Sequence, residues 1–211
     1  MAEALAEIVV IAAHPALEHS RVTRRLLQAV SALEATRRGR IAVRDLYSLY
    51  PDYFIDVAAE QAALQRARLV VWLQPIHWYS MPSLLKLWLD EVFSFGWAYG
   101  PGGTALRGKD LWLVASTGGP ESSYHPTGYN RHFFDAYLTP YEQTARLTGM
   151  RWLPPLVLHA AHRVDDAALD EHARMFTTRL DGWPDWPEIE DLEPEARCDV
   201  PADARPSPAA D

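Results

Sequence analysis

The sequence predicts an open α/β domain built on a parallel sheet, and three observations carry that prediction. Short β-branched runs buried on both faces recur along the chain, at EIVVIAA (7–13) and LVVWLQ (69–74) among others. Amphipathic stretches of helical period separate them, as the crossovers of a parallel sheet require. The 211 residues, 48% of them hydrophobic, suffice for one well-packed domain and are few for two.

The elements follow in order. The run 7–13 is the first strand. The loop His14–His19 leads to a helix from about Ser20, whose hydroxyl suits an N-cap. IAVRDLY (41–47) alternates as a second strand, AAEQAALQRA (58–67) is a helix, and 69–74 is the third strand. A helix with Pro82 in its first turn runs through LLKLWLDEVF. KDLWLVAST (109–117) is the fourth strand. A helix follows with Leu138, Tyr141, Ala145 and Thr148 on one face, then RWLPPLVLHA (151–160) as the fifth strand and DDAALDEHARMFTTRL (165–180) as the last helix.

Composition narrows the function. The net charge is −8, and the segment from Asp181 onward, with ten acids and two arginines, carries all of it. Residues 1–180 therefore hold 18 acids and 18 bases, a neutral domain with no electrostatic case for nucleic acid. The expected organisation is a folded domain over 1–180 and an acidic, Pro/Ala-rich tail over 181–211, largely disordered. Trp183, Trp186 and Ile189 are the tail residues suited to pin its start onto the domain. Cys198, the single cysteine, excludes an internal disulfide and a cysteine metal site. No apolar run reaches the roughly 18 residues of a membrane span, and MAEALAEIVVIAAHP lacks the features of a signal peptide, so the expectation is cytoplasmic.

Parallel sheets bind ligands at the carboxyl ends of their strands. After strand one, HPALEHSRVTRRL lacks the G-x-G-x-x-G of a dinucleotide fold but sets His14, His19, Ser20 and Thr23 where a helix begins, a place suited to a phosphate. After strand three, the run His77-Trp78-Tyr79 brings two aromatic rings to the edge, where a flat heterocycle could lie. After strand four, which ends in STGG, Gly118 and Gly119 let backbone approach a ligand without a Cβ in the way. A helix cap, a roof over the sheet and a plain turn are the simpler readings of the three. His159 and His162 read as ordinary polar histidines, and no metal is expected.

His14-Pro15, Pro75–Tyr79, Lys86–Asp90, Gly96–Gly100 and Ser116–Gly119, in this order, resemble the flavodoxin-like NAD(P)H dehydrogenase (quinone) family. The resemblance spans about residues 7–180 and lies nearest the bacterial branch that includes the ancillary proteins of glutathione-gated potassium efflux systems. It implies a three-layer αβα sandwich with strand order 2-1-3-4-5 and a non-covalent flavin, FMN in short members or FAD in larger ones. It also implies NAD(P)H as co-substrate, a quinone-type acceptor reached by ping-pong hydride transfer, and a homodimer with the site at its interface. Carried over, His14, Ser20, Val22 and Thr23 match the phosphate loop, Ile76–Tyr79 the segment against the isoalloxazine, and Ser116–Gly119 its pyrimidine edge. Tyr124 matches a tyrosine that assists proton movement, with His125, Tyr129, Asn130 and His132 close by. Thr23 and His77 depart from the family's usual Asn and Gln. A regulatory subunit of a potassium efflux antiporter and an azo or nitro reductase are the alternatives; an electron-transfer flavodoxin fits poorly.

Overall fold

The computed structural model describes residues 6–37 and 39–190. Its strands are β1 (Ile8–Ala12), β2 (Ile41–Asp45), β3 (Leu69–Pro75), β4 (Asp110–Ser116), β5 (Arg151–Trp152) and β6 (Leu156–Leu158). Its helices are α1 (Val22–Arg37), α2 (Leu46–Leu49), α3 (Val57–Arg66), α4 (Ser83–Val92), α5 (Thr139–Thr148), α6 (Asp166–Gly182) and α7 (Pro187–Glu190). All strand pairs are parallel, in the order β2-β1-β3-β4-β5, with β6 also on β4. That is the expected order.

The fifth strand differs from expectation. It comes in two pieces, β5 on Asp110–Leu111 and β6 on Val114–Ser116, with Leu153–Pro155 between them. Pro154 and Pro155 have no N–H to donate to a ladder, so the pairing lapses and resumes at Leu156. α2, a single turn after β2, is a further element that the alternation of IAVRDLY concealed.

Every residue of β1, β3 and β4 is buried, as strands covered on both faces must be. One apolar layer joins Val9, Ile11, Val70 and Trp72 to Leu84, Leu85, Trp88 and Tyr141. The other joins Ile8, Val10, Val71 and Trp112 to Val22, Leu26, Phe176 and Leu180. Both layers hold the sheet so that its carboxyl edge, and the loops leaving it, share one side of the molecule.

The opposite edge is closed by chain beyond residue 180. α6 continues to Gly182, and Trp183 and Trp186 are buried in the second layer with Ile189 against it. Trp183 Nε1 donates to Asp110 Oδ2 at 2.8 Å, and the Arg151 guanidinium grips both oxygens of the same carboxylate. Arg68 lies 5.3 Å over the Trp183 ring, and Arg40 donates to the carbonyls of Asp181 and Trp183. The remainder of the expected tail, 191–211 with Cys198, lies outside the described residues. Trp183→Ala is expected to cost about 3–5 kcal/mol, the range for deleting a buried aromatic side chain. Urea denaturation checks this, and a loss under about 1 kcal/mol would show the contact to be superficial.

Candidate functional site

The loops after β1, β3 and β4 emerge together, and each is fixed by a specific local device. In the first, Ser20 Oγ accepts the Thr23 N–H at 3.0 Å, capping the start of α1. The first-turn N–H groups of α1 have no intrahelical acceptor, and the helix dipole makes this end positive. Ser20, Val22 and Thr23 are buried, Thr23 to 1% exposure. His14 Nδ1 accepts the Ala16 N–H at 3.1 Å, which leaves Nε2 to carry the proton of the neutral ring.

The second loop is a tight reversal. His77 and Ser80 exchange backbone hydrogen bonds of 3.0 and 2.9 Å, and the residues between, Trp78 and Tyr79, have φ of 47° and 64°. Positive φ at both central residues is the type I′ pattern, normally supplied by Asn and Gly. Bulky residues held there cost on the order of 1–3 kcal/mol each. The strain displays the rings: Trp78 is 91% exposed, and Tyr79 stacks on Tyr137 with centroids 5.3 Å apart. Tyr141, buried in the core, accepts from Gln74 at 2.9 Å, tying β3 to α5. Burial pushes the Tyr141 hydroxyl up to about 12.

The third loop leaves β4 through Ser116 and Thr117, both buried, while Ser116 O accepts the Ile76 N–H at 2.7 Å. A Cβ built on Gly118 or Gly119 would meet nothing nearer than 3.7 Å. The protein's own packing therefore does not demand glycine at either position. Ala160 and Arg131, on the neighbouring turns, have positive φ of 55° and 62°. Backbone strain thus gathers at this edge, as it does at functional sites.

Between the second and third loops lies a cleft of about 290 Å³ lined by Ile76, Trp78, Tyr79, Gly119, Ser123, Tyr124, Tyr129 and Asn130. Of the residues expected from sequence, Ile76, Trp78, Tyr79, Gly119 and Tyr124 meet there. The phosphate-loop group adjoins it through His77, whose ring centroid is 6.2 Å from that of His14. Ser116, Thr117 and Gly118 precede Gly119 in the chain and do not line the cleft. Ser123 carried no sequence signal. Burial pushes the Tyr124 hydroxyl above the ordinary phenol value, so it is protonated at neutral pH. His159, read from sequence as an ordinary histidine, stands against Tyr124 with ring centroids 5.4 Å apart. Among the described residues no cluster of three or more His, Cys, Asp or Glu could hold a metal, and no helix is long and apolar enough to cross a membrane.

A family model described as a flavodoxin-like fold matches residues 6–180. The chain belongs to the flavodoxin-like fold family. A curated relative, the glutathione-regulated potassium-efflux system ancillary protein KefF of Citrobacter koseri, is 47% identical over 176 residues, 83% of this chain and 96% of the relative. General stress protein 14 of Treponema denticola, solved in complex with FMN, is 36% identical with a TM-score of 0.76 over 83% of this chain and 98% of that one. A chain described as thermophilic tryptophan halogenase from Streptomycin violaceusniger is 38% identical at the same TM-score, covering 82% and 97%. A putative quinone reductase from Klebsiella pneumoniae is 25% identical with a TM-score of 0.72, covering 89% and 86%. In this flavodoxin-like chain the matched region takes in all three loops of the site.

The four half-buried or buried histidines make stability depend on pH. Burial lowers His14, His77, His159 and His172 below the ordinary imidazole value of 6.5. Above that value folded and unfolded chains are both neutral at these positions. Below it the unfolded chain binds protons that the folded chain refuses, so stability falls with pH until the folded values are reached. His172, inside α6, has an Nε2 with no hydrogen-bond partner among the described residues. His172→Leu is expected to flatten the loss between pH 7.5 and 5.5, read as urea midpoints; an unchanged loss would assign it to the other three.

Proposed function

We propose that this protein is an FMN-dependent oxidoreductase that moves hydride from NAD(P)H to a quinone-type acceptor. One observation carries the reading: the strained pair Trp78 and Tyr79 and the unforced Gly119 line one cleft at the carboxyl edge of the sheet, and the capped N-terminus of α1 lies on the same edge. When bound, the flavin supplies the two-electron carriage that no side chain of this site can provide. Its fit is supported by the chain itself. The α1 N-terminus with Ser20 and the His14 Nε2–H suits a phosphate, and the space beside Gly118 and Gly119 suits the edge of a flat ring. The FMN complex of a 36% identical protein supports FMN over FAD.

The residues then have distinct tasks. Trp78 and Tyr79 bracket a planar ligand and exclude water from one side. Tyr124 holds a proton at its Oη, available where negative charge develops on an acceptor oxygen. Donor and acceptor take turns in the one cleft, so the kinetics are ping-pong. Trp78 and Tyr129, 91% and 85% exposed, leave apolar surface at the rim, which supports closure of the cleft by a second copy in a homodimer.

Initial rates with FMN-loaded protein, measured against NADPH at several benzoquinone concentrations, are expected to give parallel reciprocal plots. Absence of turnover contradicts the oxidoreductase reading, and intersecting plots contradict the order. A second reading rests on the 47% identity to an ancillary protein of a potassium efflux system: the same fold acts as a cytosolic regulatory subunit. Co-purification with a cation antiporter distinguishes it, and the two roles are compatible.

A further inference from the structure

We infer that His159 is a positioning residue for the flavin-edge loop, acting through Thr117 as a neutral ring protonated on Nδ1; the link to flavin rests on the reading above. The argument begins with one hydroxyl. Thr117 Oγ1 lies 2.8 Å from Gly119 O and 3.0 Å from His159 Nδ1. A carbonyl oxygen has no hydrogen, so the single Thr117 hydrogen goes to Gly119. His159 Nδ1 must then be the donor to Thr117 Oγ1, which leaves Nε2 bare in the neutral ring.

The surroundings hold that arrangement. Thr117 N donates to Leu158 O and Ala161 N to Thr117 O, both at 2.9 Å, lacing the loop to the turn after β6. Ala160 N donates to Gly119 O at 2.9 Å, so this carbonyl has two donors, one for each lone pair. It is thereby committed to the protein and turned to no ligand. Ala160 delivers its N–H from a left-handed backbone, φ 55°, a conformation alanine adopts only under constraint. The His159 ring is fixed between Tyr124 at 5.4 Å and Phe134, edge-on, at 5.0 Å. Burial keeps the ring neutral, with Glu121 opposing weakly.

Without the His159 donor, the Thr117 hydroxyl keeps only Gly119 of its two partners, and the Gly118–Gly119 segment loosens at the cleft wall. Histidine is required for a donor at one position, not for bulk. An asparagine amide nitrogen falls near the place of histidine Nδ1, whereas a glutamine amide nitrogen falls near Nε2. The expected pattern therefore separates hydrogen-bond chemistry from packing.

The test uses the full chain. In ¹⁵N-histidine NMR of the flavin-free protein near pH 7.5, His159 is expected to carry its proton on Nδ1; a proton on Nε2 overturns the inference whatever the cofactor. FMN titrations by fluorescence quenching then compare variants. His159→Gln and Thr117→Val are each expected to weaken FMN about five- to tenfold, the worth of one hydrogen bond. The double variant is expected to be no weaker than either, and His159→Asn to lie within about twofold of wild type. Wild-type affinity in His159→Gln overturns the inference and leaves the flavin reading standing. Failure of the wild-type chain itself to bind FMN overturns both.

Discussion

Glu60→Ala is expected to destabilise the fold by about 3–5 kcal/mol, the range for removing one partner of a buried, hydrogen-bonded ion pair. Glu60 lies on α3 at 0% exposure. Its Oε1 accepts Arg44 Nε at 2.7 Å and the Tyr50 hydroxyl, while Oε2 accepts Trp88 Nε1 at 2.9 Å. One carboxylate thus gathers a residue from β2, one following α2 and one from α4. Deleting it strands an indole N–H in the core and leaves the Arg44 charge, three-quarters enclosed, without its counter-ion. Urea denaturation measures the loss. Glu60→Gln keeps the shape and one acceptor, so it is expected to lose less. A cost under 1 kcal/mol for the alanine variant would mean that the cluster relaxes to water at little expense.

Gly119→Leu is expected to do the reverse, sparing the fold and removing the ligand. The first added carbon would stand 3.7 Å from Ser123 and from the Tyr124 ring, an ordinary contact, so the empty protein accepts a side chain there. Gly119, Ser123 and Tyr124 all line the cleft, and the isobutyl group would occupy the space assigned to the flavin edge. FMN affinity is expected to fall at least 100-fold, about 2.7 kcal/mol or more. The urea midpoint is expected to move little. Undiminished FMN binding in this variant would place the ring elsewhere.

The strands were legible because a parallel sheet buried on both faces leaves a near-continuous apolar run, as Ile8–Ala12 and Leu69–Leu73 do. The fifth strand was legible only as an apolar stretch, since hydropathy does not register the missing N–H groups of Pro154 and Pro155. Three site loops could be located from the alternation alone: strand ends on one side are where crossovers begin. Their conformations could not. His77–Ser80 contains neither Asn nor Gly, so nothing in HWYS signals two consecutive left-handed residues.

Side chains set by distant partners were the least legible. Glu60, in AAEQAALQRA, looks like the solvent face of an amphipathic helix, and only Arg44, Tyr50 and Trp88 make it a core residue. His159 reaches Tyr124 because β6 aligns Leu158 with Ser116, 42 positions earlier, and no local pattern encodes that register. Trp183 and Trp186, by contrast, stood out in an acidic segment because no solvated tail needs two indoles, and both are buried.

The central claim is that the loops at the carboxyl edge of the sheet hold a flavin, and the visible spectrum of the purified chain tests it most directly. The expected result is a yellow protein, or one that turns yellow stoichiometrically when FMN is supplied, with the visible absorption of a bound flavin. Heat-released cofactor is expected to co-elute with FMN. A colourless protein that leaves added FMN and FAD free in equilibrium dialysis would contradict the account.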